Sequence, residues 1–212
     1  MNPLRQLREH GQSVWLDTIR RNMVTEGELQ RLIEEDDLRG VTSNPTIFEK
    51  AVSAGTDYDQ QIRDIAHHHP DIAVTDLYQQ VVVEDIRMAA DVLRPTYDES
   101  DGQDGFVSLE VSPPVARDSR ATIAEARLLW QLVDRPNVFI KIPATAEGMP
   151  AIEACLSEGI NINITLMFSL DHYEAVAGAY LRAVARLENP ARVASVASFF
   201  VSRVDTKVDK RL

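Results

Sequence analysis

A single cysteine, Cys155, stands among the 212 residues, so no disulfide can form within the chain. That excludes a disulfide-stapled secreted scaffold and fits a reducing compartment, with the cytoplasm as the expected location. No apolar run approaches the ~20 residues that a bilayer-spanning helix needs, so no membrane association is expected. The opening stretch, MNPLRQLREHGQSVW, lacks the apolar centre of a secretory signal. Positive charge is also scarce. Lys and Arg total 22 against 33 Asp and Glu, a net charge of -11. Such a surface repels a phosphate backbone and argues against nucleic acid as a partner, while a locally positive pocket can still take a small phosphorylated molecule. The sequence has no GxxxxGK[ST] and no HExxH, and no strand leads into a glycine-rich dinucleotide fingerprint.

What remains is an ordinary globular composition, 44% hydrophobic and 26% charged, with length enough for a sizeable core. Short apolar or alternating runs predict strands at 13–18, 40–44, 106–111, 138–143, 160–167 and 195–201. Helical periodicity fills the intervals. Thr25 and Glu28 have capping-box spacing at the head of a helix over 25–38, and Thr46 and Glu49 repeat it over 46–53. Further helices are predicted over 76–93, 119–133, Pro150 to about Gly159, and 170–187. The polar stretch 95–105 (PTYDESDGQDG) reads as a solvated loop. Strand and helix alternate, which implies parallel strands joined by crossover helices. Two architectures suit six βα units: an open doubly wound sheet, or part of a (β/α)8 TIM-type barrel. A complete barrel typically takes ~250 residues, so that reading makes 1–212 a single barrel domain with about six of its eight units present.

Alternate strand residues point to opposite faces. One parity is apolar: Val14, Leu16, Val41, Val107, Leu109, Val111, Val138, Ile140, Ile142, Ile162, Ile164, Leu166, Ala197, Phe199 and Val201. It is expected to pack under helices. The other carries Asp17, Thr42, Asn44, Ser108, Glu110, Lys141, Asn163, Thr165, Ser198 and Phe200. Lys141 is the most telling of these, because FIKIP sets a charge inside an apolar run and a buried lysine is rare unless paired or functional. A desolvated lysine near carboxylates can attack a ketone as the neutral amine. The resulting imine withdraws electrons, so that a carboxylate which removes a hydroxyl proton can trigger carbon–carbon cleavage. Asn and Ser suit a polyol because they both donate and accept hydrogen bonds.

At these residues the chain resembles the transaldolases, class I aldolase-type barrels. The matching segments are WLDTI, GVTSNPTIF, SLEVSP, FIKIPAT, GININITLMFS and SFFVSR, in family order across nearly the whole chain. The resemblance implies transfer of a dihydroxyacetone unit between sugar phosphates in the pentose phosphate pathway, without a cofactor or metal. Sedoheptulose 7-phosphate or fructose 6-phosphate would be donor, and erythrose 4-phosphate or glyceraldehyde 3-phosphate acceptor. It also implies roles. Lys141 forms the Schiff base, and Asp17 is the acid/base for the cleaved hydroxyl. Glu110, with Thr165 and a water, moves protons during dehydration. Asn44 and Asn163 orient the donor, Ser198 assists near its C1 hydroxyl, Phe200 lines the pocket, and Arg203 binds phosphate through its planar fork. Family members continue through two further βα units, which makes an inactive 1–212 the expectation. Two other readings stand beside it: a fructose-6-phosphate-type aldolase, which more often carries tyrosine where Phe200 stands, and an inactive barrel fragment with a binding role.

Three features read as structural. His67, His68 and His69 suit a solvated helix end, since consecutive helical side chains do not share a face. Cys155 reads as a core thiol, and the acidic run from Glu34 to Asp37 as a solvated helix end.

Overall fold

The alternating apolar runs form parallel strands between helices in a computed structural model that describes residues 2–212. The order is α1 (Pro3–Glu9), β1 (Val14–Leu16), α2 (Arg21–Thr25), α3 (Glu28–Asp36), β2 (Leu38–Thr42), α4 (Pro45–Ser53), α5 (Asp59–His68), α6 (Val74–Glu99), β3 (Phe106–Glu110), α7 (Ser119–Val133), β4 (Val138–Pro143), α8 (Gly148–Ser157), β5 (Ile162–Met167), α9 (Leu170–Val184), β6 (Ser195–Phe199) and α10 (Val201–Asp209). The strands stand in their sheet in chain order, β1-β2-β3-β4-β5-β6. Each is reached from the last through helix, as parallel pairing demands. The expected α/β class with six crossover-linked strands is therefore present. Two compact units divide the chain: one runs up to Leu109 and includes Gln131–Val138, the other comprises Glu110–Trp130 and Phe139–Leu212.

In the first unit the ladders pair Trp15 with Gly40 and Leu16 with Val41, then Val41 with Val107 and Thr42 with Ser108. Side-by-side residues of a parallel ladder share a face, so the predicted separation of polar and apolar parities holds for Leu16, Val41 and Val107 against Thr42 and Ser108. Val14 departs from it, because the register shifts between Val14 and Trp15 and pairs Val14 with Leu38. Gly40 is required: a Cβ there would run into the Trp15 indole that lies across it. Helix α6 packs on β2. Its buried stripe of Val82, Ile86, Ala89 and Leu93 follows the spacing of one helical face, with Val82, Ile86 and Leu93 each stabilising the fold by roughly 1.5–3 kcal/mol when fully buried.

Three local expectations change. The 25–38 helix is broken at Gly27, whose φ of 79° ends α2 and starts α3. Thr25 does not cap α3; its hydroxyl donates back to the Arg21 carbonyl. At α4 the cap is Asn44, not Thr46: Asn44 Oδ1 accepts from the Ile47 N–H at 3.0 Å, with Pro45 in the first turn. The predicted loop at Pro95 is helix, for α6 continues to Glu99. Thr96 is buried and the Tyr97 ring meets Phe106 edge-on at 5.3 Å, so packing outweighs the backbone bond that proline forfeits.

In the second unit β4 and β5 pair Ile140 with Ile162, Lys141 with Asn163, Ile142 with Ile164 and Pro143 with Thr165. Helix α8 begins at Gly148, two residues before Pro150, and glycine is needed at 148 because a Cβ there would strike the Pro143 carbonyl. Ile140, Ile142, Ile162 and Ile164 are buried as predicted. Leu166 is not the next member of that face. It takes φ 64° at an irregularity in the β5–β6 ladder, and Met167, fully buried, occupies the apolar position instead. The apolar parity of the last strand also differs from expectation. Ala197 is exposed, Phe199 is 39% exposed, and Val201 is exposed, the last within α10, which buries none of its own residues.

Candidate active site

Lys141 is the fourth residue of β4, between Ile140 and Ile142, and alternation puts it on the face opposite theirs. Its side chain is 7% exposed and that of Glu110, the last residue of β3, is 14% exposed; Lys141 Nζ lies 3.5 Å from Glu110 Oε2. A buried ammonium requires a counter-charge, and Glu110 supplies it. The same distance suits proton exchange between them directly after a small closure, or through one water. The Lys141 carbonyl accepts from the Val111 N–H at 3.1 Å, which ties the lysine's backbone to the residue after the glutamate.

The neighbouring strand brings the next polar groups to the same face. Asn163 pairs with Lys141 and is buried; its Oδ1 accepts from the Ser198 hydroxyl at 2.8 Å, which fixes how the amide is turned. Thr165 lies one repeat further on, opposite Pro143, and its Oγ1 is buried without a protein hydrogen-bond partner. Phe200 caps the start of α10, its N–H donating to the Met167 carbonyl at 3.2 Å. The Phe200 ring centroid is 5.5 Å from that of Phe168, and the Arg203 guanidinium lies 4.4 Å from the Phe200 ring centre. Arg203 is otherwise exposed, and its cation–π contact with Phe200 gives the side chain a direction.

Of the predicted set, then, Lys141, Glu110, Asn163, Thr165, Ser198, Phe200 and Arg203 all belong to the second unit. Asp17 and Asn44 belong to the first. Asp17 is exposed and stands one residue beyond β1, at its carboxyl end. Asn44 follows β2 by two residues, and its Oδ1 is committed to capping α4. That leaves the amide N–H donors as the part of Asn44 suited to a ligand oxygen.

Several supporting groups lay outside the sequence reading. Glu125 on α7 accepts from both the N–H and the hydroxyl of Ser112, each at 2.7 Å, and so clamps the segment just after Glu110. The Thr145 hydroxyl donates to the Ala116 carbonyl at 2.7 Å, fixing the segment after β4. A buried Asn precedes each of two strands: Asn137 donates to the Ala90 and Gly105 carbonyls, and Asn161 accepts from the Ala194 N–H. A polar residue immediately before an apolar run was the available signal. The first unit also buries an Arg21–Asp85–Tyr58 cluster, signalled only by an aspartate inside VVVEDI. His67, His68 and His69 are exposed at the end of α5, and Cys155 is buried, its thiol pushed up to about 12 by burial. Among the described residues no cluster of His, Cys, Asp and Glu is placed to hold a metal, and no helix is long and apolar enough to cross a membrane.

The fold and site define a class: parallel α/β proteins that carry a buried lysine–glutamate pair amid Asn, Ser and Thr. The chain belongs to the transaldolase/fructose-6-phosphate aldolase family, whose pattern matches residues 14–212. It is 54% identical over its whole length to a transaldolase of Thermobifida fusca and 52% identical to one of Acidothermus cellulolyticus. With a protein named transaldolase 2 from Streptomyces avermitilis it shares 47% identity over 99% of the chain. The chain spans 58%, 57% and 57% of those three proteins' lengths, respectively.

Proposed function

We propose that this chain carries the imine-forming part of a transaldolase, a single aldolase-type (β/α)8 domain that moves a dihydroxyacetone unit between sugar phosphates in the cytoplasmic pentose phosphate pathway. The observation that carries the reading is the buried Lys141, 3.5 Å from Glu110, beside Asn163 and Thr165. The neutral amine of Lys141 adds to the C2 carbonyl of a ketose phosphate such as fructose 6-phosphate or sedoheptulose 7-phosphate. Glu110, with the Thr165 hydroxyl and a water, delivers the proton on which the carbinolamine hydroxyl leaves as water. The protonated imine then draws electrons from C3. Asp17 removes the C4 hydroxyl proton, the C3–C4 bond breaks, and an aldose phosphate departs. The bound enamine adds to glyceraldehyde 3-phosphate or erythrose 4-phosphate, and hydrolysis returns the lysine. Asn44, Asn163 and Ser198 orient the donor's hydroxyls, and Arg203 takes the phosphate. The imine is itself the electron sink, so no cofactor enters. Phe200 favours transfer over the hydrolytic aldolase reading, because its apolar ring offers no hydroxyl to activate water.

Borohydride reduction in the presence of fructose 6-phosphate tests the proposal. A dihydroxyacetone-sized mass should appear on the peptide holding Lys141 and be absent from Lys141→Met. An adduct on Lys207 or Lys210 instead would overturn the assignment. Release of dihydroxyacetone without need of an acceptor would move the chain to the aldolase reading.

A further inference from the structure

Two unfavourable features fall on adjacent residues of β5. Leu166 sits at φ 64°, in the left-handed region that crowds any residue bearing a Cβ. Thr165 beside it is buried, yet its hydroxyl has no protein hydrogen-bond partner among the described residues. Strained conformations and unmet polar groups persist where the surroundings impose them, often at functional sites.

The β5–β6 register shows what the irregularity does. Ile164 pairs with Ala197, so an unbroken ladder would set Thr165 opposite Ser198 on the same face. Two hydroxyls on neighbouring strands and one face would stand close enough for one to donate to the other. Instead the register shifts, and pairing resumes at Met167 with Phe199: three steps along β5 match two along β6. The extra residue is a bulge of the kind that re-aims a side chain. Ser198 turns to Asn163 Oδ1, at 2.8 Å. Thr165 stays registered on β4, its carbonyl accepting from the Ala144 N–H at 2.8 Å. Its hydroxyl therefore remains on the face of Lys141 without being consumed by the sheet. Beyond the bulge, Met167 drops into the core and its carbonyl receives the Phe200 N–H.

We propose that Leu166 is a positioning residue: its left-handed backbone bulges β5 and holds the Thr165 hydroxyl apart from Ser198, ready for a water or substrate oxygen at Lys141. The proposal rests on the reading of Lys141 as the imine-forming group. Glycine adopts this conformation without strain, whereas a β-branched valine resists it most. The test therefore compares L166G, L166V, T165V and the double variant L166V/T165V in the full chain. The first measurement is the rate of borohydride-trapped adduct formation on Lys141 with fructose 6-phosphate. L166G should stay within about threefold of the parent, while L166V should slow at least ~10-fold, toward T165V, as loss of acid–base help does. The double variant should be no slower than T165V by more than about twofold, since both changes remove one function. Full multiplication of the two single losses, or parental rates in L166V, would overturn the proposal. The second measurement needs no substrate: hydrogen exchange at the Phe200 N–H. Protection should persist in L166G and fall in L166V; equal protection in both overturns the bulge argument. A parent that gives no Lys141 adduct refutes the imine reading, and the exchange comparison alone then decides the role of Leu166.

Discussion

Replacing Asp85 with leucine removes the one carboxylate on which Arg21 and Tyr58 converge. Asp85 is completely buried. Its Oδ1 accepts from Arg21 Nε and Nη2 at 2.8 and 2.6 Å, and its Oδ2 accepts from the Tyr58 hydroxyl at 2.7 Å. The Tyr58 oxygen in turn accepts from the Arg21 backbone N–H at 3.1 Å. Without the carboxylate, a guanidinium only 14% exposed loses its counter-charge and a buried hydroxyl loses its acceptor. Removing one member of a buried pair costs ~3–5 kcal/mol, and an orphaned hydroxyl ~1–3 kcal/mol; the two overlap through the shared carboxylate, so about 4–6 kcal/mol is expected. The intact pair is a different quantity. Burial pushes the Asp85 carboxyl above the ordinary carboxylate range despite the Tyr58 and Arg21 hydrogen bonds, so the charge sits there at a desolvation cost. An Arg21→Met/Asp85→Leu double variant should therefore recover most of the loss, to within ~2 kcal/mol of the parent, because well-packed apolar replacements often break even. Urea unfolding of the parent, both single variants and the double variant, followed by circular dichroism, measures the cycle. An Asp85→Leu cost below ~1 kcal/mol, or a double variant no more stable than Asp85→Leu, would refute the reasoning.

Asp17→Ala should still give the Lys141 adduct but slow carbon–carbon cleavage by ~10²–10⁴-fold, whereas Glu110→Gln should slow imine formation itself; single-turnover trapping separates the two steps. Cys155, its thiol pushed up to about 12, should resist an aromatic disulfide reagent at pH 8 in the native chain and react at once in urea; fast native labelling would contradict its burial. The Arg135 hydrogen bond holds Asp91 below the usual carboxylate range. Its contribution is thus present above the unfolded value of ~3.9 and lost as pH falls through the lower folded value. Asp91→Asn should accordingly weaken the chain at neutral pH and flatten its acid-side loss of stability in a pH series of unfolding midpoints.

Alternation along the strands was legible in the sequence because it reflects a local rule. Within an unbroken strand a side chain's face follows its parity, so FIKIP placed Lys141 opposite Ile140 and Ile142, and INIT placed Asn163 and Thr165 beside it. Helices α7 and α9 were legible for the same reason, since their apolar spacing repeats every turn. Elements without a buried stripe escaped notice: α1 and α10 bury no residue, and a helix that packs little leaves little pattern. Competing caps were settled by backbone conformation, Gly27 over Thr25 and Asn44 over Thr46. Pro95 continues α6 because Thr96 and Tyr97 find partners in the fold. The sequence by itself determined that Lys141 stands inside an apolar strand and that Asn163 and Thr165 share its parity face. Only the tertiary structure decided the 3.5 Å approach of Lys141 to Glu110, the turning of Asn163 toward Ser198, and the bulge at Leu166. Each of these depends on the register between strands that the chain brings together from far apart, and no local pattern encodes where one strand will stop against the next.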